Sequence, residues 1–117
     1  MTIEEFIIGY LETALGGSPA VPVSGSVPHP LPAEFVTVEK TGEREVDYIP
    51  TAQIHIDVWS TSRAAADALC ARVKSSMAGI TALPEISRCA LNTSFNNPSL
   101  DNGKPRYTAT FDVVYFL

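Results

Sequence analysis

The chain has 117 residues, of which 45% are hydrophobic and 18% charged, a size and balance that predict one globular domain around a single core. Thirteen acidic against eight basic side chains leave a net charge of −5 without a basic cluster, which argues against tight binding to nucleic acid through phosphate neutralisation. No stretch approaches the ~20 apolar residues that span a bilayer, and no basic region followed by an apolar run opens the chain. The expectation is a soluble protein made in the cytoplasm, with surplus apolar surface for a partner.

Thr2 followed by Glu5 is a capping-box pattern, in which each side chain satisfies an orphan N–H of a first helical turn. Ile3, Phe6, Ile7, Tyr10, Leu11 and Ala14 then recur as one apolar stripe, with Glu4, Glu5 and Glu12 outside it. Gly16 and Gly17 are expected to end this helix in the left-handed conformation. From Ser18 to Pro32 the chain carries Pro19, Pro22, Pro28, Pro30 and Pro32, which forbids a helix and leaves an extended connector or, at best, a ragged edge strand.

Ala33 to Lys40 alternates as a strand, with Val36 and Val38 on one face and Phe35, Thr37 and Glu39 on the other. Thr41 to Tyr48 is polar and reads as a hairpin tip or a longer protruding loop, with Gly42 supplying the turn. The next strand runs from about Ile49 to Trp59. It presents Ile54, Ile56 and Val58 to one side and Gln53, His55, Asp57 and Trp59 to the other. Ser60, Thr61 and Ser62 are successive candidate N-caps for a second helix, in which Ala65, Leu69, Val73 and Met77 fall on one line with Ala66 and Cys70 beside it. Gly79 stops that helix and Pro84 marks the turn after it.

Glu85 to Asn96 reads as a further strand, and Asn97 to Pro105 is dense in turn residues, with Asn102-Gly103 favouring positive φ at a tip. In the last strand Tyr107, Ala109, Phe111, Val113, Tyr115 and Leu117 share one face, while the other turns from polar to apolar at Val114 and Phe116. A strand apolar on both sides is either central in a covered sheet or pressed against another subunit. The order α-β-β-α-β-β predicts one α+β domain spanning residues 1–117. It has a single, mostly antiparallel four-stranded sheet with both helices packed on one face.

The chemistry-bearing residues are few. His55 and Asp57 share a face and, with Cys89 or Ser60, would supply a base and a nucleophile, yet no glycine-rich oxyanion motif accompanies them. His29 sits among prolines without a partner at ligand spacing, and Asp101-Asn102 lacks the alternating oxygens of a calcium loop, so neither cofactor nor metal is expected. Cys70 and Cys89 read as two small thiols inside the fold, with a disulfide the alternative. Trp59 suits an interface anchor or core packing equally. Arg106 is expected to pair with Asp57 or Asp112 across the sheet.

Taken in order, the capped first helix, the variable loop, the strand AQIHIDVWS ending at Val58-Trp59-Ser60, the alanine-rich helix with Leu69 and Val73, and the Arg106-Tyr107 opening of the last strand after an Asp101-to-Gly103 turn resemble the tail completion proteins, or tail terminators, of long-tailed bacteriophages and prophages. The resemblance implies a structural, non-enzymatic subunit that assembles with copies of itself, usually six, into a ring on the tail tube. That ring sits in the virion at the head-proximal end of the tail. It halts polymerisation of the major tail protein, offers a surface to head-tail connector proteins, and lets DNA pass without specific binding.

A head-to-tail ring needs two unlike patches. The candidates are Trp59, Val114 and Phe116 on one side, and Phe35 with the loop carrying Glu43, Arg44, Glu45 and Tyr48 on another, with Arg106 a further interface candidate. Other readings are a head-closure or adaptor protein of the phage neck and a ferredoxin-like domain that binds a small molecule.

Overall fold

A computed structural model describes residues 1–17 and 20–117, so that Ser18 and Pro19, which open the proline-rich segment, lie outside the described residues. Helix α1, Ile3–Ala14, is capped by Thr2, whose side chain accepts from the Glu5 backbone N–H at 3.1 Å; this is half of the expected capping box, because Glu5 Oε1 accepts from the Thr2 hydroxyl, at 3.2 Å, in place of the Thr2 N–H. Ile3, Ile7 and Leu11 form its buried stripe. It ends at Leu15 with φ −98°, without the left-handed glycine that the sequence suggests. At Gly16 a Cβ would crowd the Glu12 and Thr13 carbonyl oxygens at 3.1 and 3.2 Å.

The sheet departs from the four-stranded expectation. Among the described residues it has five strands in the order β1-β2-β3-β5-β4: β1 Val23–Ser24, β2 Phe35–Val46, β3 Ile49–Trp59, β4 Ile86–Asn96 and β5 Arg106–Tyr115. The additional strand is the short β1, which pairs parallel to β2 at Val36 and Thr37 and makes the sheet mixed. Proline density does not prevent this, because Pro22 is used only as an acceptor, its carbonyl taking the Val36 N–H at 2.9 Å. Val21 and Val23 then pack into the core.

A second correction concerns the loop expected from Thr41 to Tyr48. Strand pairing runs on through Arg44–Thr51 and Val46–Ile49, with one register shift between Lys40 and Gly42, so Gly42 sits beside a bulge and the turn falls on Asp47 and Tyr48. The prolonged ladder satisfies backbone groups that a loop of the same polar composition would leave to water.

Helix α2, Arg63–Ala78, is capped by Ser62, whose side chain accepts from the Ala65 N–H at 3.1 Å. Its buried residues are Ala66, Leu69, Cys70, Val73 and Met77. A short 3-10 turn, Ile80–Ala82, leads into β4. The Tyr10 hydroxyl donates to the Ser76 carbonyl at 2.6 Å and ties α1 to the last turn of α2.

Both helices face the side of the sheet that carries Val36, Val38, Ile54, Ile56, Val58, Ala109, Phe111 and Val113, all buried in one cluster with the helix residues. Apolar residues at every second strand position put this layer on a single face. β5 lies between β3 and β4, paired on both sides and covered by α2, which accounts for its apolar content. The opposite face is bare and polar along most of its length, with Glu39, His55, Asp57, Thr110 and Asp112 projecting from it. The molecule is 43 Å long.

Candidate functional site

Two ends of the long sheet differ in chemistry. At one end the β2–β3 hairpin turns through Asp47 and Tyr48, with φ of 52° and 66°. Two consecutive positive φ values are the signature of the two-residue turn whose twist matches its strands, a geometry normally given to Asn or Gly. For a tyrosine the left-handed conformation costs about 1–2 kcal/mol. Tyr48 recovers nothing from packing, since it is 94% exposed. Ile49, Phe116 and Leu117 are also exposed, and Tyr48, Pro50, Tyr115, Phe116 and Leu117 line a concavity of about 560 Å³ with Glu43 and Glu45. Lys40 Nζ stands 3.7 Å from Glu43 Oε1, and the Tyr115 hydroxyl donates to Glu43. That bond, aided by burial and by the charges of Glu43 and Glu45, pushes the Tyr115 hydroxyl up to about 12.

At the other end the bare face is covered after all. Phe35 and Trp59 are paired across β2 and β3 and stack with centroids 4.5 Å apart and planes 15° from parallel. Both are buried. The Arg106 guanidinium carbon lies 5.5 Å from the Trp59 ring centroid, and Arg106 Nε donates to the Asn97 carbonyl at 2.7 Å, which fixes the fork in place. Within the proline-rich segment, Val27 to Leu31 lie over this stack. Val27, His29 and Leu31 face Trp59, Ser99 and Arg106 across a cavity of about 330 Å³.

Ser60 Oγ donates to Glu34 Oε2 at 2.7 Å, and Lys104 Nζ to the Ala33 carbonyl at 3.2 Å, which pins the end of the segment. The Trp59 indole N–H is buried without an acceptor among the described residues.

Of the residues singled out from the sequence, the structure gathers Glu43, Glu45, Tyr48 and Phe116 at the hairpin end, with Arg44 lining a shallow polar saddle on the bare face beside Thr51, Gln53 and Asp112. Phe35, Trp59 and Arg106 meet at the opposite end. The grouping by side expected from the sequence is therefore rearranged, because Phe35 and Trp59 face each other while Phe116 lies far along the sheet. Val114 is partly buried opposite Thr51 and Arg88.

Arg106 pairs with neither expected aspartate. Asp57 accepts from Thr108 Oγ1 at 2.5 Å and stands 3.2 Å from His55 Nε2, and Asp112 accepts from Asn92 Nδ2 at 3.3 Å.

The nucleophile-and-base combination is not assembled. Cys89 pairs with Val113 on the helix-covered face, whereas His55 pairs with Thr110 on the bare one, and Ser60 is committed to Glu34. Both cysteines are free thiols. Burial, with a contribution from Asp112, pushes Cys89 up to about 11, and burial also raises Cys70. Among the described residues no three His, Cys, Asp or Glu side chains gather as metal ligands, and no helix is long and apolar enough to cross a membrane.

The sequence reading missed the outer edge of the sheet at β4. This strand is 11 residues long, carries Arg88 as its one charge, and leaves Leu91 and Phe95 almost half exposed. Two register shifts, at Ile86/Arg88 and Leu91/Thr93, are its main protection against pairing with another chain. The outer edge of β2 beyond Thr37, by contrast, is blunted by Glu39, Lys40, Glu43, Arg44 and Glu45. The available signal was the unbroken run from Glu85 to Asn96 without proline or lysine.

Comparison with family models returns no match, and comparison with curated proteins returns none either.

Proposed function

We propose that this chain is a structural subunit of a homo-oligomeric ring that caps a phage tail tube, stops its polymerisation and offers the head-joining surface. The observation that carries this reading is a pair of unlike exposed surfaces left after the chain has folded. One is the hairpin end with Tyr48, Ile49 and Phe116, and the other is the opposite end of the sheet, where Val27 and Leu31 are exposed around a cavity beside Trp59 and Arg106. Two different surfaces on one subunit are what head-to-tail association requires, and rotation at each contact closes a ring. The polar sheet face, with Glu39, Asp57 and Asp112, suits a channel wall past which DNA moves without being held. The segments that resemble tail completion proteins include β3, α2 and β5, the scaffold of both surfaces.

Light-scattering mass and electron microscopy of the purified protein, alone and with tail tubes, test the proposal together with tail lengths in a deletion phage. A ring, and abnormal or unjoined tails beside DNA-filled heads, are expected. Monomers under both conditions with unaltered tails would end it. Leaking heads with normal tails would move the subunit to head closure.

A further inference from the structure

We propose that the contact between neighbouring copies is made end to end, with the Tyr48 ring of one copy entering the cavity beside Trp59 and Arg106 of the next. This rests on the ring reading and names its interface. Four observations carry it. The first is the conformation of Tyr48, a strained, 94% exposed aromatic at a turn where glycine or asparagine would be easier, a residue whose strain no contact among the described residues repays. The second is the receiving cavity. At about 330 Å³, walled by Val27, Leu31, Trp59, Asp101 and Arg106, it has room for one aromatic ring beside the stacked indole and guanidinium.

The third observation is charge. Glu43, Glu45 and Asp47 surround the tip against Arg44 and Lys40, the latter paired with Glu43, whereas Arg63, Lys104 and Arg106 gather at the other end against Asp101 and Glu34, the latter tied to Ser60. In a chain of net charge −5 a basic end is unexpected, and it faces away from the acidic one along the 43 Å axis. One copy therefore offers each charge to the next, which steers them into a single polarity.

The fourth is rigidity. Arg106 is held by its bond to the Asn97 carbonyl and its place on Trp59, and no carboxylate among the described residues pairs with its remaining nitrogens. An arginine already in place loses little freedom on contact. Tyrosine and arginine in a desolvated pocket are the usual centre of an interface.

The test uses Tyr48→Gly and Tyr48→Asn, which relieve the turn, and Lys104→Glu, which reverses the basic rim. Association is followed by sedimentation under whichever condition, free or on tail tubes, the wild type assembles. Both Tyr48 variants should melt at or above the wild-type temperature yet associate at least about 30-fold more weakly. An equimolar mixture of Tyr48→Gly and Lys104→Glu should give one heterodimer and nothing larger, since it holds one intact tip and one intact cavity. The double variant Asp47→Lys/Lys104→Glu should regain assembly.

Folded Tyr48 variants that assemble like the wild type would overturn this contact and leave the ring reading standing, as would a mixture that stays monomeric. A wild type that never assembles would overturn both.

Discussion

Replacing Phe35 with alanine tests whether the proline-rich segment and the Phe35–Trp59 stack form a second small core on the otherwise bare sheet face. Phe35 is fully buried, and its ring lies 4.5 Å from the Trp59 ring. Truncation of a buried phenylalanine costs about 3–5 kcal/mol, because the surroundings do not collapse to fill the space. Against a total of about 5–15 kcal/mol for a domain, this is a large fraction. With a urea m-value of about 1.5 kcal/mol/M, the unfolding midpoint should fall by about 2–3 M.

Trp59 is the only tryptophan, so its fluorescence reports on this layer alone, while far-UV circular dichroism reports on the helices. In the wild type the two transitions should coincide, because Phe35 and Trp59 sit on the strands that carry Val36 and Val58 into the main core. Thr110→Ala, on the same face but in its open part, should move the midpoint by less than about 0.5 kcal/mol equivalent. A Phe35→Ala shift no larger than that of Thr110→Ala, or a fluorescence transition well ahead of the dichroism in the wild type, would refute the second core.

Ser62→Ala removes the side chain that accepts the Ala65 N–H and should cost about 1 kcal/mol, read as a melting temperature lower by about 3–6 °C. Cys89 gives a pH dependence of known sign. Its folded value, about 11, lies above the ordinary 9.0, so its contribution to stability is fully present below about pH 8.5 and is lost as pH rises through 11. Urea midpoints should therefore decline from pH 9 to 11, and Cys89→Ala should decline less. The Tyr115 hydroxyl, pushed up to about 12, adds a later loss at higher pH that persists in that variant.

How much was legible follows from the range of the interactions involved. Thr2 and Ser62 announce their helices because a cap bonds within three residues of itself, and the stripe Ile3, Ile7, Leu11 is likewise local. The division of β3 into Ile54, Ile56 and Val58 against His55, Asp57 and Trp59 follows from the two-residue period of a strand. The hairpin end, with Glu43, Glu45 and Tyr48, was visible as a polar segment between strands. Its turn at Asp47-Tyr48 was not, because glycine at position 42 is the stronger turn signal and the bulge that absorbs it depends on pairing with Gln53.

By itself, then, the chain determined where its helices start and which strand positions are apolar, since those properties are set by neighbours a few residues apart. Only the tertiary structure decided that β5 enters between β3 and β4, that Val23-Ser24 becomes a parallel strand, and that β4 is left as an edge. It also decided that Phe35, Trp59 and Arg106 meet beneath Val27 and Leu31, far from Phe116. These depend on which distant segments find one another, and the hydrophobic pattern of a strand is the same whether its partner is the next segment or the last.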